Sequence, residues 1–206
     1  MRGGRLAPSP SSVRQVLRAW WGKGVEGPLV RLLAGWGIGP NTLTLAGLLL
    51  TAPAAYLAAT GRWPWAGLTL LAAGAMDLLD GALARRTGRA SPFGAFLDSL
   101  ADRVQEGGVL LGVLVFFAHR EGMLGGILSF LALATSFLVS YARARAEGLG
   151  IPSPTGGLLT RPERVALLAL GLLTGWLLLA LGVMVGLGVL TLLHRVYAVW
   201  RCTRRG

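Results

Sequence analysis

The sequence predicts an all-α integral membrane protein of six transmembrane helices preceded by an N-terminal interfacial amphipathic helix. Three observations lead there. Hydrophobic residues make up 53% of the 206 positions and another 31 are glycine, while only 14% are charged, against about 25% in soluble domains. That is too little polar surface to cover a particle of this size in water. Apolar runs of about 20 residues, the length that crosses the hydrocarbon, recur from residue 42 onward. The basic residues are also sorted: of the 20 lysines and arginines, 18 fall in one set of connections and termini, and only Arg62 and Arg120 in the other. By the positive-inside rule the first set is cytoplasmic, with both termini. This is the pattern of a multi-pass protein of the cell (inner) membrane.

In that setting the net charge of +11 speaks for cytoplasmic loops and anionic lipid rather than nucleic acid. No aromatic-basic RNA motif or Cys/His finger accompanies it. Cys202 is the single cysteine, which excludes an intrachain disulfide and a multi-cysteine metal site. Residues 1–39 are basic and broken by Gly and Pro, without an apolar run that ends in a small-residue cleavage site, so no signal peptide is expected. The chain divides into this N-terminal segment, 1–39, and a six-helix transmembrane domain, 40–206.

The elements follow in order. In Ser11–Trp36, the residues Val13, Val16, Leu17, Trp20 and Trp21 recur at helical spacing opposite Arg14, Arg18 and Lys23, as expected of a helix lying on the membrane. Span one is Thr42–Thr60, between Gly39-Pro40-Asn41 and Gly61-Arg62. Span two enters at Trp63/Trp65 and leaves past Asp77, Asp80 and Arg85. Span three runs from about Phe93 to Ala118 and span four from about Gly122 to Tyr141. Val165 to Leu193 is 29 residues without a charge, long for one crossing and short for two. Basic residues at both its ends require an even number of crossings, hence a hairpin turning near Gly175–Gly182. Trp36, Trp63, Trp65 and Trp200 read as interface anchors. His119 and His194 have no second ligand partner and receive no chemistry.

Four of the nine acidic residues lie at or within the ends of these spans: Asp77, Asp80, Asp98 and Asp102. An ionised carboxylate at the bilayer centre costs about 2.5–3.5 kcal/mol, less toward the interface. Spacings of three and four put each pair on one helix face, so two helices joined by a short connection can present four carboxylates to one point. Oxygen donors without His or Cys select hard divalent ions such as Mg²⁺ or Mn²⁺. The competing reading is structural ion pairing with Arg85 and Arg86. Gly81 and Gly94 leave the backbone open to a ligand, and with Ala84 and Arg85 they fit a cradle for a nucleotide diphosphate.

The run Asp77-x2-Asp80-Gly81-x2-Ala84-Arg85-x8-Gly94-x3-Asp98-x3-Asp102 resembles the signature of the CDP-alcohol phosphotransferases at every fixed position. The resemblance implies six transmembrane helices, a homodimer, and displacement of CMP from a CDP-linked alcohol by the hydroxyl of a second alcohol. It implies that Asp77, Asp80 and Asp98 hold two divalent ions, and that Asp102 helps to hold one while accepting the proton of the attacking hydroxyl. It further implies a CDP-lipid site formed by Pro40, Asn41, Thr42, Leu43, Gly81, Ala84, Arg85, Ser91 and Gly94.

Residues 140–147 (Ser-Tyr-Ala-Arg-Ala-Arg-Ala-Glu), Gly156-Gly157 and Arg161-Pro162-Glu163-Arg164 resemble the bacterial phosphatidylinositol phosphate synthase branch of that family. There a basic cluster holds the phosphate of inositol phosphate, and the matching positions are Arg143, Arg161 and Arg195. Arg143 stands where Lys is common, which keeps the charge and changes the hydrogen-bond geometry. The expected reaction takes CDP-diacylglycerol and inositol 3-phosphate. Glycerol 3-phosphate is the alternative acceptor, and a divalent-cation transporter using the four aspartates is the alternative of a different class. Arg145 and Arg164 read as anchoring charges, with Glu147 and Glu163 paired to neighbouring arginines.

Overall fold

The computed structural model describes residues 27–120, 122–151 and 159–204, and these form helices with no strand among them. The elements are α1 (Gly27–Gly35), α2 (Pro40–Leu49), α3 (Thr51–Ala59), α4 (Trp63–Thr87), α5 (Pro92–His119), α6 (Met123–Gly148), α7 (Arg161–Thr174) and α8 (Leu177–Thr203). The expected interfacial helix lies, for its Val13, Val16, Leu17, Trp20 and Trp21 face, outside the described residues. Within them, α1 seats Val30 against Leu43, Ala82 and Leu83.

The helix ends are written locally. Pro40, Pro64, Pro92 and Pro162 stand in the first turns of α2, α4, α5 and α7, where a missing N–H loses nothing. Ser91 caps α5 by accepting from the Gly94 N–H at 3.0 Å, and Thr160 with Glu163 forms a capping box on α7. Gly88 at φ 66° and Gly175 at φ 79° end α4 and α7 in the left-handed conformation, which glycine adopts without a Cβ penalty. The first apolar run is one stretch, Pro40–Ala59, interrupted at Leu50. Pro53 has no N–H to give the Leu49 carbonyl, so the ladder breaks there.

Among the described residues four stretches are long and apolar enough to cross a membrane: Pro40–Ala59, Trp63–Thr87, Met123–Gly148 and Leu177–Thr203. Helix α5 has 28 residues, but every 18-residue stretch of it contains Asp102, Arg103 and Glu106. Helix α7 has 14 residues. The break between α7 and α8 falls at Gly175-Trp176, inside the window the sequence suggested, and the two helices pack on each other. Neighbouring pairs are α2 with α4, α3 with α5, α4 with α7, α5 with α6, and α6 with α8.

Small residues let these helices approach. A Cβ on Gly112 would run into the carbonyl of Ala55, and one on Gly171 would meet the Ala180 Cβ at 2.5 Å. This is the packing used where lipid removes the hydrophobic drive between helices. The apolar core, including Leu70, Leu110, Val113, Leu168, Leu172 and Leu181, fills one part of the bundle. Outward-facing Leu49, Leu124 and Leu179 are 76%, 64% and 58% exposed; such apolar surfaces suit lipid contact. This is a membrane protein. The C-terminal parts of α4, α6 and α8 and the N-terminal parts of α5 and α7 meet at one end, and the charged side chains collect there.

Gly112→Val is expected to lower thermal stability in detergent, since overpacking of this kind costs about 1–3 kcal/mol and the obstacle is backbone. Gly126, whose Cβ would meet nothing within 4 Å, should accept Ala without loss. Equal melting of the two variants would contradict the close α3–α5 approach.

Candidate active site

Helix α4 carries Asp77 and Asp80 near its C-terminal end, and α5 carries Asp98 and Asp102 in its first turns, with Gly88–Ser91 turning the chain between them. The four carboxylates lie within electrostatic reach of one another, with an arginine between two of them. Arg161, the first residue of α7, places Nη2 2.5 Å from Asp77 Oδ2 and Nη1 2.5 Å from Asp102 Oδ1. Gln105 completes the clamp: its Oε1 accepts from Arg161 Nη2 at 3.0 Å and its Nε2 donates to Asp77 Oδ1 at 3.0 Å. Asp80 is 4% exposed and accepts from Thr44 Oγ1 at 2.5 Å. Among the described residues Asp98 is met only through space, by Asp77, Arg161 and Arg103.

Two cavities open on either side of Asp98. The smaller, about 220 Å³, is lined by Pro40, Asn41, Thr44, Asp80, Gly81, Ala84, Arg85, Arg89, Ser91, Gly94 and Asp98. The larger, about 650 Å³, is lined by Asp98, Asp102, Arg103, Ser140, Tyr141, Arg143, Arg161, Arg164 and Arg195 among others. Seven of the nine residues expected at the CDP-lipid site therefore share one cavity, and the three expected at the acceptor phosphate share the other.

Thr42 and Leu43 are the exceptions. Leu43 is buried under α1 with Ala82 and Leu83, and Thr42 is exposed away from the cavity; Thr44, one position on, takes the place at its wall. The cradle itself is tight: a Cβ on Gly81 would lie 3.2 Å from Arg85 Nη1, and one on Gly94 3.2 Å from Asn41 Oδ1. Gly47 plays a similar part behind Asp77, where a Cβ would lie 3.1 Å from both Asp77 Oδ1 and Gln105 Nε2.

The arginines differ in kind. Arg143 is exposed and pairs with Glu147 at 2.8 Å, as expected. Arg195 is 6% exposed and donates through Nη1 to the Val139 carbonyl, while its Nε is buried without a hydrogen-bond partner. A buried donor left open is expensive, and Arg195 is among the residues that line the larger cavity. Arg164 is not the anchoring charge the sequence suggested. It is buried, and its Nε and Nη2 donate to Glu106 Oε1 and Oε2 at 2.6 and 2.8 Å. Glu163 caps α7. Trp63, read as an interface anchor, packs inward on Phe116 with ring centroids 5.0 Å apart.

Gln105 and Glu106 were missed as site residues. The signal was present, since Glu106 stands four residues after Asp102 and a charge inside an apolar helix requires a partner.

The donor set at Asp77, Asp80, Asp98 and Asp102 consists of carboxylate oxygens, which suit a hard divalent cation. Among the described residues no three His, Cys, Asp or Glu side chains are drawn together as a metal cage. Arg161 explains this, because its guanidinium already bridges two of the four carboxylates. The residues fit such an ion once that bridge opens.

The family model for CDP-alcohol phosphatidyltransferase matches residues 38–200. The archaetidylinositol phosphate synthase of Pyrococcus horikoshii is 36% identical over 176 residues, 84% of this chain and 91% of that protein. The phosphatidylinositol phosphate synthase of Mycobacteroides abscessus is 36% identical over 149 residues, 71% of this chain and 67% of that protein. Among solved structures, phosphatidylinositol phosphate synthase of Mycobacterium tuberculosis with CDP-DAG bound superposes with a TM-score of 0.78 at 30% identity, covering 85% of this chain and 94% of that one. The same enzyme in complex with manganese and citrate gives 0.79 at 30% identity, covering 85% and 89%.

Arg164→Ala is expected to lower stability by about 3–5 kcal/mol, the cost of stranding a buried partner charge, read as thermal unfolding in detergent. The double variant Arg164→Met, Glu106→Leu should recover most of it. Wild-type melting of Arg164→Ala would return this residue to the surface role.

Proposed function

The chain belongs to the CDP-alcohol phosphatidyltransferase family, and we propose that it transfers the phosphatidyl group of CDP-diacylglycerol to a hydroxyl of inositol 3-phosphate with release of CMP. The observation that carries this is the pair of cavities meeting at Asp98, one a glycine-lined cradle and the other an arginine-lined chamber. Family membership removes the cation-transport alternative. The relatives bear on the acceptor: their names differ in the lipid, phosphatidyl against archaetidyl, and agree on inositol phosphate. The basic chamber would also receive glycerol 3-phosphate, and the test must separate the two.

In this reading the smaller cavity takes the cytidine diphosphate group. Gly81 and Gly94 let the diphosphate reach the backbone, and Arg85 supplies a positive charge beside it. Asp77, Asp80, Asp98 and Asp102 would hold two Mg²⁺ or Mn²⁺ ions, which when bound neutralise the diphosphate under attack. The acceptor phosphate enters the larger cavity, where Arg143, Arg161 and Arg195 face it; the open Nε of Arg195 is the donor best placed to bind it. Asp102 lines that chamber and takes the proton from the attacking hydroxyl as general base. In-line attack across Asp98 then joins acceptor to lipid phosphate, and CMP leaves through the cradle.

The membrane arrangement completes the proposal. Six crossings, with α5 and α7 added to the four apolar stretches, put both termini and the charged end in the cytoplasm by the basic-residue asymmetry. A lipid tail then stays in the bilayer while a soluble acceptor enters from water. The functional unit is a homodimer in the cell membrane.

The test uses purified protein with CDP-diacylglycerol and Mg²⁺, offered inositol 3-phosphate, glycerol 3-phosphate and free inositol separately, with CMP release measured. Inositol 3-phosphate should be turned over fastest, and preferred turnover of free inositol would remove the reason for the arginine chamber. Arg195→Ala should raise KM for the acceptor at least several-fold with little change for the CDP-lipid. Hydrogen bonds to charged groups contribute about 1.5–3 kcal/mol, and each 1.4 kcal/mol is about tenfold.

A further inference from the structure

Arg161 holds two positions at once. Its side chain lines the larger cavity, and its terminal nitrogens are engaged by Asp77, Asp102 and Gln105. Its Nε is buried without a hydrogen-bond partner. A guanidinium bridging two carboxylates at 2.5 Å each brings positive charge to the point where two helices converge their acidic residues, as a bound divalent ion would. Arg161 and a cation coordinated by Asp77 and Asp102 cannot both occupy it.

We propose that Arg161 is a resident counter-cation, displaced from Asp77 and Asp102 when a divalent ion binds, and that this displacement frees its guanidinium for an anion in the larger cavity. The inference rests on the acceptor reading given above for its second half only. Without the ion, the carboxylates are neutralised from within the chain and the site does not collapse under like-charge repulsion. With the ion, Arg161 loses its partners beside a cavity also lined by Arg103, Arg143, Arg164 and Arg195, and several positive charges face one space. An acceptor phosphate relieves that repulsion. Divalent ion and phosphate therefore bind with positive coupling, and coupling is reciprocal. Arg161 carries it because it bridges Asp77 and Asp102 and also lines the chamber.

The test is direct Mn²⁺ binding to the purified full-length protein, followed by the electron paramagnetic resonance of free Mn²⁺, with no substrate present. Arg161→Gln removes the competitor and should bind Mn²⁺ at least fivefold more tightly than wild type, the lower end of ordinary coupling between sites. Arg143→Gln removes the same charge from the same chamber at a residue paired with Glu147 rather than with Asp77 or Asp102, and should stay within about twofold of wild type. If Arg161→Gln does not fold, Arg161→Lys serves, because an ammonium cannot bridge both carboxylates as a fork does; it too should bind Mn²⁺ more tightly. Unchanged or weaker Mn²⁺ binding by these variants would overturn the proposal and make Arg161 a positioning residue for Asp77.

The second half is read by equilibrium dialysis of inositol 3-phosphate. Wild type should bind it at least fivefold better with Mn²⁺ than without, and Arg161→Gln should lose that dependence. Tighter Mn²⁺ binding without metal-dependent phosphate binding would overturn the delivery step. Tighter Mn²⁺ binding with no turnover of inositol 3-phosphate would preserve the exchange and reject the acceptor assigned above.

Discussion

Four carboxylates on two helices of a lipid-facing bundle cannot stand without compensating charge, and the polar structure of this protein follows from that. An ionised group in hydrocarbon is expensive, and two pairs on facing helices add mutual repulsion. Polar neighbours at the charged end answer three of them: Arg161 and Gln105 at Asp77, Thr44 at Asp80, Arg161 and Arg103 at Asp102. Glu106, one turn deeper on α5, brings Arg164 in behind them. Helix α7 begins where it does because Thr160 and Glu163 cap it, which fixes Arg161 and Arg164 three residues apart on one face toward α4 and α5.

The same constraint divides the site. Because the carboxylates lie along two helices rather than around a loop, they form a partition with space on each side. One side is tight at Gly81 and Gly94, where a Cβ would lie 3.2 Å from Arg85 Nη1 and Asn41 Oδ1, and the other is walled by arginine. A partition of acidic oxygens between a glycine-lined cavity and a basic chamber suits transfer of a phosphoryl centre, in which donor and acceptor must approach in line.

Much of this was legible in the sequence, for identifiable reasons. The aspartate spacing is helical, so the placing of Asp77 with Asp80 on α4 and of Asp98 with Asp102 on α5 could be read without coordinates. The Gly175 turn was readable because charge sidedness demanded a hairpin and glycine supplied the only suitable conformation near it. Thr42 and Leu43 came from a contiguous motif carried over whole, whereas of residues 40–44 it is Pro40, Asn41 and Thr44 that line the smaller cavity. Arg164 was misread because a count of positive charges treats every arginine near a helix end alike; burial against Glu106 depends on packing between α5 and α7, which no local pattern shows. The clamp on Arg161 was invisible for the same reason, since its partners stand 84 and 56 residues away in the chain.

The central claim is that these carboxylates form a divalent-cation site at the junction of the two cavities. It is tested most directly by locating Mn²⁺ by anomalous scattering in crystals of the protein grown with CDP-diacylglycerol. Anomalous density should lie among Asp77, Asp80, Asp98 and Asp102, with the guanidinium of Arg161 withdrawn toward the larger cavity. Density elsewhere, with Arg161 still bridging Asp77 and Asp102, would contradict it.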